Sequence, residues 1–418
     1  MKRYARMDFF RKYCAMVILE GAVIMIAAVH AHSQVVLGLE NLLIRQLDLV
    51  EGKQVGIIAN HTSLDAQGRS IVDLISQHAK VIAVFGPEHG YRGNVDDGAD
   101  IQDSIEGGLR VFSLYGAYRE PTREMLKDID VLIYDIQDVG VKFYTFISSL
   151  FLAMEAAKRD GIQFIVLDRP NPIDASRVEG SITLPPNASF VGAAPLPTRY
   201  GMTAGELAQM FNRETYLGFS LNANLTVVKM TGYKRTMWYD ETGLPWTKTS
   251  PNMPDLETAT VYPGMCLFEG TNLSEGRGTP TPFMTVGAPY IDSEKWLMSI
   301  PKALMAGVEI RAVSFTPRSI VGMDENPKYK DVPCDGLRLH VIDRRRFQPI
   351  PLSVAMLCSA AKNFETDFKT RNYLDNLWGN EDLRAMLESG EDYASIMKTT
   401  EEGLERFRKI RGKYLLYD

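Results

Sequence analysis

Neither common phosphate-binding signature occurs in this chain: no G-x-G-x-x-G follows an apolar run, and there is no G-x-x-x-x-G-K-[ST]. A fold without such a cradle is not expected to hold a dinucleotide or a nucleoside triphosphate, so no cofactor is predicted. Cysteine is scarce, with four in 418 residues and no C-x-x-C. Cys266, Cys334 and Cys358 read as small core residues, able to form one disulfide at most. Beyond the N-terminal segment the histidines are His61, His78, His89 and His340, none spaced i, i+4 or set beside a cysteine pair. No metal site is expected from that set. Positive charge is also in deficit, with 46 Lys and Arg against 52 Asp and Glu. A nucleic-acid partner calls for a basic stripe, and none is expected here.

The one long apolar stretch lies at the start. Lys2, Arg3, Arg6, Arg11 and Lys12 precede "CAMVILEGAVIMIAAVHAHSQ". A positive head, an apolar centre and a small-residue end make residues 1–33 a secretory signal peptide, so the mature chain is expected to be exported and soluble. A membrane anchor is the alternative, but Glu20 sits in mid-run and no charged stop-transfer flank follows. Without residues 1–33 the formal charge is −9, from 41 positive and 50 negative side chains. No later run reaches the roughly 18 apolar residues of a second span.

What the chain does have is alternation. Short β-branched runs at 54–60, 80–86, 109–116, 130–138, 164–172 and 225–230 are separated by helical patterns near 71–77, 122–126, 146–159 and 204–212. Runs apolar on both faces, with helices between, predict a Rossmann-like, doubly wound α/β domain over residues 34–235, its sheet mainly parallel. From about Thr231 the chain turns rich in Pro, Gly, Asn and Thr, then resumes with strand patterns near 308–320 and 335–343 and helical ones from 353 and 381. Residues 236–418 are expected to form a second, α+β domain.

Right-handed crossovers put the carboxyl ends of all parallel strands on one rim, where open α/β sheets bind ligands. Polar groups follow nearly every strand. Asn60 and His61 follow the first, and Glu88 and His89 the second. Tyr115 follows the third, Asp135, Gln137 and Asp138 the fourth, and Asp168, Arg169 and Asn171 the fifth. Glu88 stands out because Pro87 fixes its backbone. A carboxyl on a rigid, half-buried turn suits a general acid, although it could instead cap a helix or pair with Arg92. Asp138 reads equally as a helix N-cap, and Asp168 with Arg169 as a brace for the turn. Thr203 with Glu206 in "GMTAGEL" reads as a capping box. "FEGTNLSEGRGTPTPF" gathers Glu269, Asn272, Glu275 and Arg277 among glycines, which lets a backbone approach a sugar closely; a surface loop is the plain alternative.

Taken in order, "FGPEHGYRG", "SLYG", "DIQDVGVKFYTFI", "LDRPNPI", "GMTAGEL", "SPNMP" and "YPGMCLFEGTNLSEGRGTPTPF" resemble the exo-β-N-acetylmuramidase family, glycoside hydrolase family 171. The resemblance runs from about Val36 to the terminal "KYLLYD". It implies an exported, periplasmic enzyme that releases N-acetylmuramic acid from the non-reducing end of peptidoglycan fragments. The implied cleft lies between the Rossmann-like and C-terminal domains and uses no nucleotide. On that reading Glu88 is the acid/base, tuned by His89 or a nearby arginine, and Asp135 or Asp138 is the second group, ahead of Glu269 and Glu275. The substrate's own N-acetyl group is a further possibility. Arg92, Arg169 or Arg277 would hold the lactyl carboxylate. Asn60, Tyr115, Gln137, Asp168, Asn171, Tyr200 and Asn272 complete the expected binding set. The family pattern has histidine before "GMT", where this chain has Tyr200. The rival reading is a muropeptide-binding protein that uses the same cleft without catalysis.

Overall fold

The computed structural model describes residues 35–93, 102–214 and 220–418. The signal-peptide segment expected at 1–33 lies outside the described residues. Seven strands build the large sheet: β1 (Gln54–Ala59), β2 (Lys80–Gly86), β3 (Ser104–Glu106), β4 (Leu109–Ser113), β5 (Val131–Asp135), β6 (Gln163–Leu167) and, after a small hairpin of β7 (Glu179–Ile182) and β8 (Pro197–Arg199), β9 (Leu225–Val228). Their order is β3-β4-β2-β1-β5-β6-β9. All pairs are parallel except β3 with β4. Without β3, chain order reads 3-2-1-4-5-6 across the sheet, the arrangement of dinucleotide-binding folds, with its reversal between β1 and β5.

The central strands are buried on both faces, and side-chain alternation divides them between two cores. Ile57, Ile133 and Ile165 join Leu39 and Leu42 of helix α1 (Gly38–Arg45) and Ile71 and Ile75 of α2 (Ile71–Ile75). Ile58, Leu132, Tyr134 and Val166 face the other way, onto α3 (Phe146–Asp160) and α4 (Ala204–Arg213). Thr203 and Glu206 close the expected capping box at the start of α4. The helical pattern at 122–126 makes only turns.

That second core continues without a break into the C-terminal half, reaching Phe268, Trp296, Leu337, Trp378 and Phe407. There β10 (Thr285–Ala288), β11 (Val308–Phe315) and β12 (Cys334–Val341) form an antiparallel sheet in the order β10-β12-β11. Around it lie α5 (Leu256–Met265), α6 (Ser293–Ser299), α7 (Pro349–Asn363), α8 (Tyr373–Trp378), α9 (Asp382–Glu388), α10 (Tyr393–Thr399) and α11 (Glu401–Arg411). Helix α5 was not legible in the sequence, since Thr, Val and an internal Pro263 all argue against a helix. It is buried from Thr258 to Met265. Gly264 lets it meet α7 closely, because a Cβ there would stand 2.2 Å from the Pro349 carbonyl.

Polar ties also join the halves. The buried Lys142 Nζ lies 2.8 Å from the Ser181 carbonyl and 2.6 Å from that of Trp378. At the far end of the chain, the Tyr417 hydroxyl donates to Asp168, and the Leu416 N–H donates to Glu206. Among the described residues no helix is long and apolar enough to cross a membrane.

Candidate active site

A cleft of about 850 Å³ opens between the carboxyl edge of the large sheet and the C-terminal half. Glu88 enters it from the turn after β2. Gly86 ends that strand, where a Cβ would stand 2.7 Å from the Tyr91 nitrogen. The Gly90 N–H closes the turn on the Pro87 carbonyl at 2.9 Å, and His89 and Gly90 both take left-handed φ values, 69° and 74°. That conformation costs a non-glycine residue roughly 1 kcal/mol, so packing must hold His89 in place. The Thr145 hydroxyl donates to Glu88 Oε2 at 2.5 Å. Tyr115, just beyond β4, has its hydroxyl close enough to feel Glu88, and burial and that carboxylate push its phenol up to about 12. A hydroxyl can turn to donate or accept. Two hydroxyl neighbours therefore suit a carboxyl that cycles between protonated and ionised forms.

The opposite wall comes from α5 and the 3₁₀ turn that extends it. Tyr262, Cys266 and Glu269 recur at helical spacing and all line the cleft. Glu269 Oε1 accepts from Arg277 at 2.8 Å. Arg277 also approaches Glu275 at 3.5 Å, and Lys328 stands 2.9 Å from Glu275. Burial, then the Glu275 carboxylate, push Glu269 up to about 8; Lys328 opposes them, and Glu88 and Asp324 add to the rise. Glu88 and Glu269 thus feel each other's charge across one cavity. Between them runs an aromatic wall, Tyr262 meeting Phe143 at 5.3 Å and Phe283 at 4.7 Å between ring centres, both edge-on. Aromatic faces beside a few convergent polar groups make a surface for the apolar side of a sugar ring.

Of the expected site residues, Glu88, His89 and Tyr115 of the sheet rim and Glu269, Glu275 and Arg277 of the glycine-rich loop line this cleft. The others do not, and each has a structural engagement instead. Asp135 accepts from Arg169 at 2.5 and 2.9 Å, both side chains being almost fully buried. Burial raises the Asp135 pKa, and Arg169 opposes that rise. Asp138 accepts from the Gly140 N–H at 2.6 Å and from the Tyr200 hydroxyl. Burial pushes it up to about 6 against those bonds. It caps no helix, since α3 begins eight residues later. Gln137 spans the carbonyls of Asp138 and Pro170, and Asn60 accepts from Thr62. Asp168 accepts from Thr203, Gly205 and Tyr417, and Asn171 donates to the Met202 carbonyl. Asn272 is bound by Tyr290 and the Lys369 N–H. Arg92 is exposed, its guanidinium 5.3 Å from the Tyr91 ring. The structure therefore gives no support to Asp135 or Asp138 as the second catalytic group, or to Arg92 or Arg169 as a carboxylate clamp. Side chains at a strand end point inward as readily as outward, and these inward ones bond mainly to one another and to nearby backbone, although Asn60 Nδ2, Gln137 Oε1 and Asp138 Oδ1 keep no partner among the described residues. Sequence reasoning missed Arg119, Tyr262, Lys328 and Tyr373, all in the cleft wall.

The sequence and fold of the chain are matched in known proteins. Residues 55–257 match the model described as "Exo-beta-N-acetylmuramidase NamZ, N-terminal", and residues 260–417 its C-terminal counterpart. The chain belongs to the NamZ exo-β-N-acetylmuramidase family. A relative from Bacillus subtilis (strain 168), the peptidoglycan beta-N-acetylmuramidase NamZ, is 42% identical over 386 residues, 91% of each chain. Two crystal structures of DUF1343 family proteins from Bacteroides fragilis share the NamZ fold seen here. One is 33% identical with a TM-score of 0.83, the other 31% identical with a TM-score of 0.73. Each covers 92% of this chain and 99% of its own.

Proposed function

We propose that this protein is an exo-acting β-N-acetylmuramidase that releases N-acetylmuramic acid from the non-reducing end of peptidoglycan fragments. We place it outside the cytoplasm, in the periplasm, after loss of residues 1–33; the basic head and apolar centre of that segment support this. Glycosidic cleavage needs a proton for the leaving oxygen and an opposing group at the anomeric carbon. Glu88 takes the first role. Glu269, with Arg277 and Lys328 governing its charge, takes the second, either at the anomeric carbon or by orienting the substrate's N-acetyl group. The observation that carries this reading is the meeting of Glu88 and Glu269, from different halves of the chain, on one aromatic-walled cleft. Glu88→Gln is expected to lower kcat on an aryl β-N-acetylmuraminide by about 10²–10⁴-fold with the melting temperature preserved. Turnover within a few-fold of wild type removes Glu88 from the mechanism.

A further inference from the structure

Muramic acid differs from glucosamine by the lactyl ether at O3, which carries a carboxylate. Four cations line the cleft: Arg119, Arg277, Lys328 and Arg371. Two are already committed. Arg277 lies between Glu269 and Glu275, while Lys328 pairs with Glu275 and donates to the carbonyls of Phe268, Glu269 and Leu273. Arg371 is exposed, so holding an anion would cost it side-chain entropy in a screened setting. Arg119 differs from all three. Its guanidinium carbon sits in the corner between two tilted rings, 3.9 Å from the Tyr115 centre and 4.3 Å from that of Phe190. No described carboxylate pairs with it, and its Nη1 is shut off from solvent with no acceptor among the described residues.

We propose that Arg119 is the receptor for the lactyl carboxylate of the terminal muramic acid, and so the residue that selects this sugar. The inference rests on the muramidase reading of the cleft. Stacking against Tyr115 and Phe190 holds the planar group still and leaves its N–H edge for a ligand, and that edge matches a carboxylate at two points. The location also fits. Tyr115 carries the Arg119 guanidinium on its ring while its phenol feels the Glu88 charge, so one side chain separates the receptor from the proton donor. O3 and the anomeric carbon belong to one sugar ring, and a receptor for the lactyl group must stand about that close to the acid. A buried guanidinium nitrogen with no acceptor is costly until a ligand supplies one.

The test is a two-by-two cycle. An aryl β-N-acetylmuraminide and its neutral lactyl methylamide are assayed with wild type and Arg119→Met, which keeps an unbranched stem between the rings. Losing one side of a desolvated charge pair is expected to lower kcat/KM about 100-fold, whether the loss is the guanidinium or the substrate's charge. Making both changes together is expected to cost little more than either alone, since both remove the same contact. Arg119→Lys, which keeps the charge and loses the fork, is expected to fall between and serves if the methionine variant does not fold. Losses that multiply independently, or an unchanged preference for the free acid in either variant, overturn the proposal. If wild type cleaves neither glycoside, the muramidase reading fails instead. The same cycle run as calorimetric binding of free N-acetylmuramic acid and its methylamide then decides Arg119 without turnover.

Discussion

Replacing Lys142 by methionine is expected to change how the fold responds to alkali. Lys142 is 1% exposed and meets two backbone carbonyls but no carboxylate among the described residues. Burial holds its pKa well below the ordinary 10.5. A neutral amine has two N–H groups for those two carbonyls, whereas an ammonium would leave a third donor buried without an acceptor. In the window between the lowered folded value and 10.5 the unfolded chain therefore binds the extra proton, and stability must rise with pH there. The slope is at most about 1.4 kcal/mol per pH unit. The cost of shedding that proton is greatest at the lowered folded value and fades as pH climbs toward 10.5. Methionine escapes this cost but leaves both carbonyls without their donor, a loss of about 1–3 kcal/mol each. The first effect fades with rising pH and the second does not, so the variant is expected to fall further behind wild type as pH rises and to be the less stable by several kcal/mol at pH 10. Urea unfolding of both proteins at pH 7, 8, 9 and 10, read by tryptophan fluorescence, measures the difference directly. A stability gap that stays flat or narrows as pH rises refutes the argument.

Two further outcomes follow from other contacts. Glu275→Gln removes the carboxylate that helps raise Glu269 and frees Arg277 to serve Glu269 alone, so the ionisation near 8 is expected to move to lower pH. Carboxyl-carbon NMR titration of the two proteins checks this, and an ionisation that stays near 8 contradicts the account. Gly264→Ala drives a methyl group into the Pro349 carbonyl and is expected to cost about 2–3 kcal/mol in a denaturant titration, as overpacking does; a stable variant would mean that α5 and α7 can separate freely.

The large sheet was legible in the sequence because its signal is local. Runs such as "VLIYD" and "FIVLD" are apolar on both faces, and only a covered parallel sheet uses them. Helix α5 was hidden because "LETATVYPGM" is buried all round and shows no amphipathic period to read. The site was half legible for a related reason. Topology predicts which segments reach the rim, and so found Glu88 and Tyr115, while the glycine-rich, polar composition of the Glu269–Arg277 loop marked that loop. It does not say which side chains turn toward ligand and which toward one another. Asp135 with Arg169, Asp138 with Tyr200 and Asp168 with Tyr417 are pairs 34, 62 and 249 residues apart in the chain. Arg119 carried no signature of its own, since its meaning comes from Phe190, on a loop between β7 and β8.

The contacts of Tyr417 and Leu416 with Asp168 and Glu206 bear on what can be dissected. A fragment ending near residue 235 would keep the whole parallel sheet, yet its carboxylates at the edge of α4 would lose two of their donors and Lys142 would lose the Trp378 carbonyl. The apolar face under α3 would lose its cover as well. The two segments that the family models separate are thus poor modules: shuffling one against a foreign partner means rebuilding a shared interior, so diversification of this architecture is confined to its loops.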